Sequence, residues 1–165
     1  MNRDTLIAQL DFARMRLVGI LDTIEKSGQD MEKVMSYRPA PGRAHIGWQF
    51  MHCAATHDRY LNVALKKAVV KDETLVNNYG GGSTPSDAIV PTISDIRAKL
   101  ESTYADFRGY IGSLSDADLN TKFTGRDGKE RSIGEATTLL AWHEGHHQGQ
   151  IHLTWNIYKA ANGIK

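Results

Sequence analysis

One cysteine, Cys53, stands among 165 residues, so no disulfide can close within the chain, and a reducing compartment is expected. No run of about 18 apolar residues occurs, which excludes a membrane-spanning helix of ordinary length. Blocks of like charge are also missing. The 20 basic and 19 acidic residues are scattered and leave a formal charge of +1, which argues against a nucleic-acid or membrane-surface partner. The opening stretch MNRDTLIAQLDFARMRL has acids within its apolar pattern and no small-residue cleavage site, so a signal peptide is not expected. Cytoplasm is the expected location. The period-two alternation of strands is nearly absent, and no internal repeat is found.

What is present reads as helix. The length suits a single domain spanning 1–165 with a proper core. A first helix starts near Asp4, repeats Leu6, Leu10, Ala13, Leu17, Ile20, Leu21 and Ile24, and stops at Ser27-Gly28. A second follows YRPAPGR and runs from about Ile46 to Ala68. The stretch NNYGGGSTPSDAIVP then interrupts helix and strand alike. A third helix begins near Thr92 or Ser94 and ends around Gly112-Ser113. FTGRDGKERS reads as a turn or short hairpin about Asp127-Gly128. Ser132 and Glu135 form a capping box that opens a last helix from Ile133 to about Ala161. Four amphipathic helices of this length predict an all-α four-helix bundle. Its connections are long enough for at least one to cross the bundle's end.

Four of the seven histidines fall within AWHEGHHQGQIH, residues 141–152, and His143 to His147 spells H-E-x-x-H. On a helix, His143 and His147 lie about 40° apart, close enough to grip one ion. Their stripe includes Ala136, Leu140, Ile151, Thr154 and Tyr158, the core-facing side. His152 lies about 180° from His143 and points outward, while His146 sits about 60° off at the stripe's edge. The protease reading of this motif fails. Only 18 residues follow His147 and none is Asp or Glu, which removes a downstream glutamate ligand. The longer metzincin pattern wants Gly and His where Gln150 and Leu153 stand, and Gly149 and His152 each come one residue early. A third ligand is therefore expected from upstream. The second helix offers His52 and His57, with His45 just before it. The apolar face of Ile46, Phe50, Cys53, Tyr60, Leu61 and Ala64 is centred nearer His57.

HIGWQFMHCAATHDRYL together with RSIGEATTLLAWHEGHHQGQIH resembles the DinB superfamily, including its YfiT-like members. The likeness lies in a second-helix histidine a few residues past an S-I-G-x-like opening, and a final-helix H-x-x-x-H-x-G-Q. Ile46-Gly47 leads to His52 here, and His143 through Gln150 fills the last motif. One departure is His45, where the family often has Ser or Thr. The resemblance implies a four-helix bundle with a crossing long connection, and His52, His143 and His147 as the ligands of one divalent metal ion. Zinc leads as the expected ion, with nickel next. His57 becomes a nearby polar residue.

Three histidines leave coordination positions open, as catalytic rather than structural sites do. The resemblance implies a metal-dependent transferase that activates a low-molecular-weight thiol as cosubstrate. A metal-dependent hydrolase and a non-enzymatic metal-binding or stress-response protein are the alternatives. Glu144, beside a ligand, is a candidate base or else a solvated helix acid. Gln150 is a candidate to orient a ligand. His146 could touch substrate, and Trp142 and Trp48 could line a pocket or pack in the core. Arg59 either holds an anionic group of a small-molecule substrate or pairs with Asp58 or Glu73. Cys53 reads as packing. The first helix spreads Leu6, Ile7, Leu10, Phe12, Leu17, Val18 and Leu21 over too wide an arc for one seam, so a homodimer is expected.

Overall fold

The computed structural model describes residues 2–164. Four long helices carry the fold: α1 (Arg3–Glu25), α3 (Ile46–Arg59), α5 (Ile93–Gly112) and α6 (Ile133–Ala161). Two short helices, α2 (Met31–Ser36) and α4 (Glu73–Tyr79), lie in the connections that flank α3. Strands β1 (Lys122–Thr124) and β2 (Glu130–Ser132) pair antiparallel around a turn in which Gly128 takes φ +74°, which a side chain would resist.

The capping residues set where the helices begin. Ser132 with Glu135, and Thr92 with Asp95, each close a reciprocal capping box. His45 caps α3 through its ring, with Nδ1 accepting from the Trp48 amide at 3.0 Å. It therefore does the capping work that a Ser or Thr hydroxyl commonly does. At the other end, α3 does not run on as regular helix to residue 68. Residues 60–65 widen into a π-helical turn, and Lys67 then adopts a left-handed backbone with φ 56°.

Each long helix packs against two others: α1 and α3 both touch α5 and α6. Consecutive long helices α1 and α3 therefore sit across the bundle's diagonal rather than side by side. That placement explains the long connection between them, which must cross an end of the bundle. The return from α3 to α5 presses close to the start of α3. A Cβ on Gly47 would come within 2.9 Å of the Pro91 ring, so this position of the motif needs glycine for contact, not for backbone freedom. Buried Asp58 pins the same connection by accepting from the backbone amides of Lys71 (2.9 Å) and Asp72 (2.8 Å).

The apolar core is split. One cluster gathers Leu17, Leu21, Ile24, Phe50, Ile96, Leu100, Ile151 and Trp155; the other gathers Leu6, Leu10, Leu61, Phe107, Ile111 and Leu140. Between them every long helix contributes polar side chains: Arg14, His57, Thr103, and Glu144 with His147. This interleaved layer positions the site.

Candidate metal centre

His52 projects from the second turn of α3, and His143 and His147 project one turn apart from the middle of α6. The ring centroids lie 5.0 Å (His52–His143), 4.8 Å (His52–His147) and 4.5 Å (His143–His147) apart. One nitrogen from each ring falls within 4.8 Å of the others. His52 Nε2 and His143 Nε2 are 3.1 Å apart. Two imidazole nitrogens about 2.0–2.1 Å from one zinc in tetrahedral geometry would be roughly 3.3 Å apart, so the rings need little movement to share an ion.

The remaining ring nitrogens show how two of these imidazoles are aimed. His52 Nδ1 lies 2.6 Å from the Tyr79 carbonyl oxygen, and His147 Nδ1 lies 3.3 Å from Oε1 of buried Gln49. Each acceptor favours the tautomer with the proton on Nδ1, which leaves the Nε2 lone pair free. The Trp48 ring stacks on His52 with centroids 4.6 Å apart and planes 10° from parallel, while its Nε1–H donates to the Asn78 carbonyl. His143 Nδ1 is buried without a partner among the described residues.

Burial holds these rings in their neutral, donor form. It lowers the His143 pKa to about 4 and the His147 pKa to about 2, with the neighbouring imidazoles adding to each effect. His52 is lowered as well, mainly by burial, although its bond to Tyr79 works the other way.

His52 and His143 open onto a cavity of about 470 Å³. Its walls come from the end of α3 and the π-helical turn (Ala55, Arg59, Tyr60, Val63, Ala64), from Gly81, and from the hairpin (Phe123, Arg126, Asp127, Arg131). A volume of this size suits a small molecule.

Of the other expected site residues, only Arg59 lines the cavity. Glu144 is buried with 1% exposure and pairs with Arg14, and its Oε1 is 3.3 Å from His57 Nε2. It is neither solvated nor on the cavity wall. One residue's rotation from His143 turns it into the bundle's centre. Burial raises the Glu144 carboxyl, and Arg14 offsets part of that rise. Gln150 is exposed and lies 2.7 Å from His146, so it orients no ligand; Gln49 has that position. Trp142 is 61% exposed and stacks on His146, outside both core and cavity. His146 is exposed, edge-on to His147, and does not line the cavity. Arg59 pairs with neither Asp58 nor Glu73; it lines the cavity and donates to the Gly81 carbonyl at 3.1 Å. Cys53 is fully buried packing, and His152 faces solvent.

Arg14, Gln49 and Tyr79 escaped the sequence reading. Arg14 left a signal, a charge set between Leu10 and Leu17 on the apolar stripe of α1. Tyr79 acts through its carbonyl and left none.

The model of the DinB superfamily matches residues 9–151. The chain belongs to the DinB superfamily. The matched stretch contains all three convergent histidines, the whole of α3, and α6 as far as Ile151. No curated protein matches the chain. The fold of this DinB-superfamily protein is all-α apart from the one hairpin, and its three-histidine cluster is a potential metal site. No described helix is long and apolar enough to cross a membrane.

Proposed function

We infer that this protein is an enzyme that holds one divalent metal ion, with zinc the leading candidate and nickel next, on His52, His143 and His147, and uses it to transfer a small thiol to an electrophile. The observation that carries this reading is the convergence of three neutral imidazoles at the edge of a cavity. A divalent cation supplies preference for the deprotonated form of a group beside it, so a thiol there is favoured as its thiolate at neutral pH. The chain's residues supply the rest. Tyr79 and Gln49 fix ring orientation, Trp48 covers one face of His52, and the cavity receives the reacting partners.

The surroundings of Glu144 tell against hydrolysis assisted by a carboxylate base. Hydrolysis assisted by a carboxylate base needs that carboxylate near the reacting water. Glu144 is committed to Arg14 and His57, and the one acid on the cavity wall, Asp127, is held by both Nη atoms of Arg131 at 2.8 and 2.6 Å. A thiol next to a cation, like a water there, is acidified by the cation itself, so hydrolysis by such a water is the alternative that the turnover test must separate.

The test is metal analysis of untagged protein followed by thiol turnover against model electrophiles. Stoichiometric metal with thiol consumption supports the reading. Metal with ester or amide hydrolysis instead favours the hydrolase, and metal with neither favours a binding role. We also propose a homodimer in solution, supported by Phe12 (63% exposed) and Met15 (57%) on α1. A concentration-independent monomer mass by light scattering removes that part.

A further inference from the structure

The cavity beside the histidines is strongly basic, although the chain as a whole is nearly neutral. Its lining includes Arg59, Lys67, Arg126 and Arg131 against a single carboxylate, Asp127. Arg131 takes up that carboxylate with two short hydrogen bonds. Arg59, Lys67 and Arg126 have no acidic partner among the described residues. Lys67 instead holds its ammonium 5.7 Å from the Phe123 ring centroid.

Two of these cations converge. Arg59 Nη1 donates to the Gly81 carbonyl at 3.1 Å, and Arg126 Nη1 reaches the same oxygen at 3.5 Å. A single neutral carbonyl thus stands where two guanidinium groups meet, and an anion at that point would be attracted by both. The proximity is felt, because burial and the Arg126 charge both weaken the hold of Arg59 on its proton. The two arginines come from separate parts of the fold, α3 and the hairpin turn, so neither helix pairing nor strand pairing explains their meeting. The lining also has an apolar part, built from Ala55, Val63, Ala64 and Phe123.

Resting on the metal-and-thiol reading above, we propose that Arg59 and Arg126 form a carboxylate-binding subsite, so that the enzyme acts on a small molecule with a carboxylate at this end and an apolar or reactive portion near His52 and His143. Guanidinium forks match carboxylates in charge and in planar geometry. The Gly81 oxygen currently shared by both arginines marks where a carboxylate oxygen would sit or compete. The carboxylate can belong either to the thiol or to the electrophile.

Calorimetric titration of the full chain, zinc-loaded and zinc-free, separates these cases with three probes: succinate, mercaptosuccinate and the neutral thiol thioglycerol. At least one carboxylate probe should bind 10-fold or more tightly than thioglycerol. Arg59→Gln with Arg126→Gln should cost that probe about 10-fold or more, as loss of charge-assisted hydrogen bonds does, and leave zinc stoichiometry unchanged. Arg59→Lys and Arg126→Lys keep the charge but lose the fork, and should fall between. If mercaptosuccinate binds the zinc-loaded protein far more tightly than succinate, the thiol carries the carboxylate; if the two bind alike, the electrophile does. Carboxylate probes that bind no better than thioglycerol, or equally well to the Gln and Lys variants, overturn the proposal. Failure to take up zinc would count against the metal reading alone, since succinate binding to the zinc-free protein still reads this subsite.

Discussion

Two clusters of histidine-bearing polar residues lie side by side in this bundle, and α3 and α6 supply both. His52, His143 and His147 form the first; His57 and Glu144, with Arg14 from α1, form the second. In the first, three imidazoles face one another with no acid among them, and two open onto a cavity. In the second, a carboxylate sits between a guanidinium and an imidazole, sealed from solvent, and Arg14 also donates to the Leu100 carbonyl at 2.8 Å and lies over the Tyr104 ring. The first has lone pairs to give and an opening to give them through. The second has spent its charges internally. Identity of residue type does not distinguish them; the partners on the far side of each ring do.

The largest effect expected from this contrast is on metal. His52→Ala, His143→Ala or His147→Ala should each abolish stoichiometric zinc by elemental analysis. His57→Ala should keep it while lowering the melting temperature. If His57→Ala empties the site and His52→Ala leaves it full, the roles of the two clusters are reversed.

Next comes stability. Glu144→Ala leaves Arg14 buried and uncompensated, which should cost about 3–5 kcal/mol in denaturant unfolding. Arg14→Leu combined with Glu144→Leu should cost less than Glu144→Ala alone, because it removes both charges together. A double variant as damaged as the single would mean that packing, rather than charge, holds the layer.

A smaller effect is expected for Gln49→Ala, which frees His147 Nδ1 while sparing every ligand. Zinc affinity should fall about 10- to 100-fold in competition with a chelator, with stoichiometry kept. Affinity within twofold of the parent would mean that Gln49 does not orient the ring.

Acid should loosen both clusters, more gradually. Burial lowers the pKa of His57 well below its ordinary value and that of His45 moderately, so in the zinc-free protein each folded ring binds fewer protons than its unfolded counterpart. Their contribution is present above about pH 6.5 and is lost as pH falls from there toward the folded values. Each such ring should add up to about 1.4 kcal/mol of lost stability per pH unit in that window. Urea midpoints that stay level between pH 7 and pH 5 would contradict this. Metal affinity should weaken below about pH 6 for a related reason, as protons compete for the ligands.

The contrast also explains what could be read in advance. Helix periodicity and caps located α1, α5 and α6 closely, because Thr92, Ser132 and the apolar repeats act over a few residues. The cap of α1 is Asn2, whose side chain accepts from the Thr5 amide, and Asp4, the residue expected there, lies in the first turn. Periodicity favoured His57 as the more central residue of the α3 face, and it is the more buried ring, 1% exposed against 9% for His52. Centrality reports burial, however, and burial is not ligation. The motif spacing singled out His52, the histidine that meets His143 and His147. Glu144 shows the opposite gap. Its neighbour in sequence suggested a role at the metal, while Leu140, four residues before, already marked its face as core. Its true partner, Arg14, lies 130 residues away. Short α2 and α4 were not foreseen, because too few residues carry a period, and the Tyr79 carbonyl has no side-chain signature at all.

The widened turn at Tyr60–Leu65 has a bearing on how such proteins diverge. A π-helical turn amounts to an α-helix with one residue inserted. Loss of one codon there would restore regular winding and carry Val63, Ala64 and Lys67 about 100° around the axis relative to His52. His52, His143 and His147 would keep their places while the cavity exchanged part of its wall. A change in the shape of the cavity is thus one deletion away, with the three-histidine cluster inherited intact.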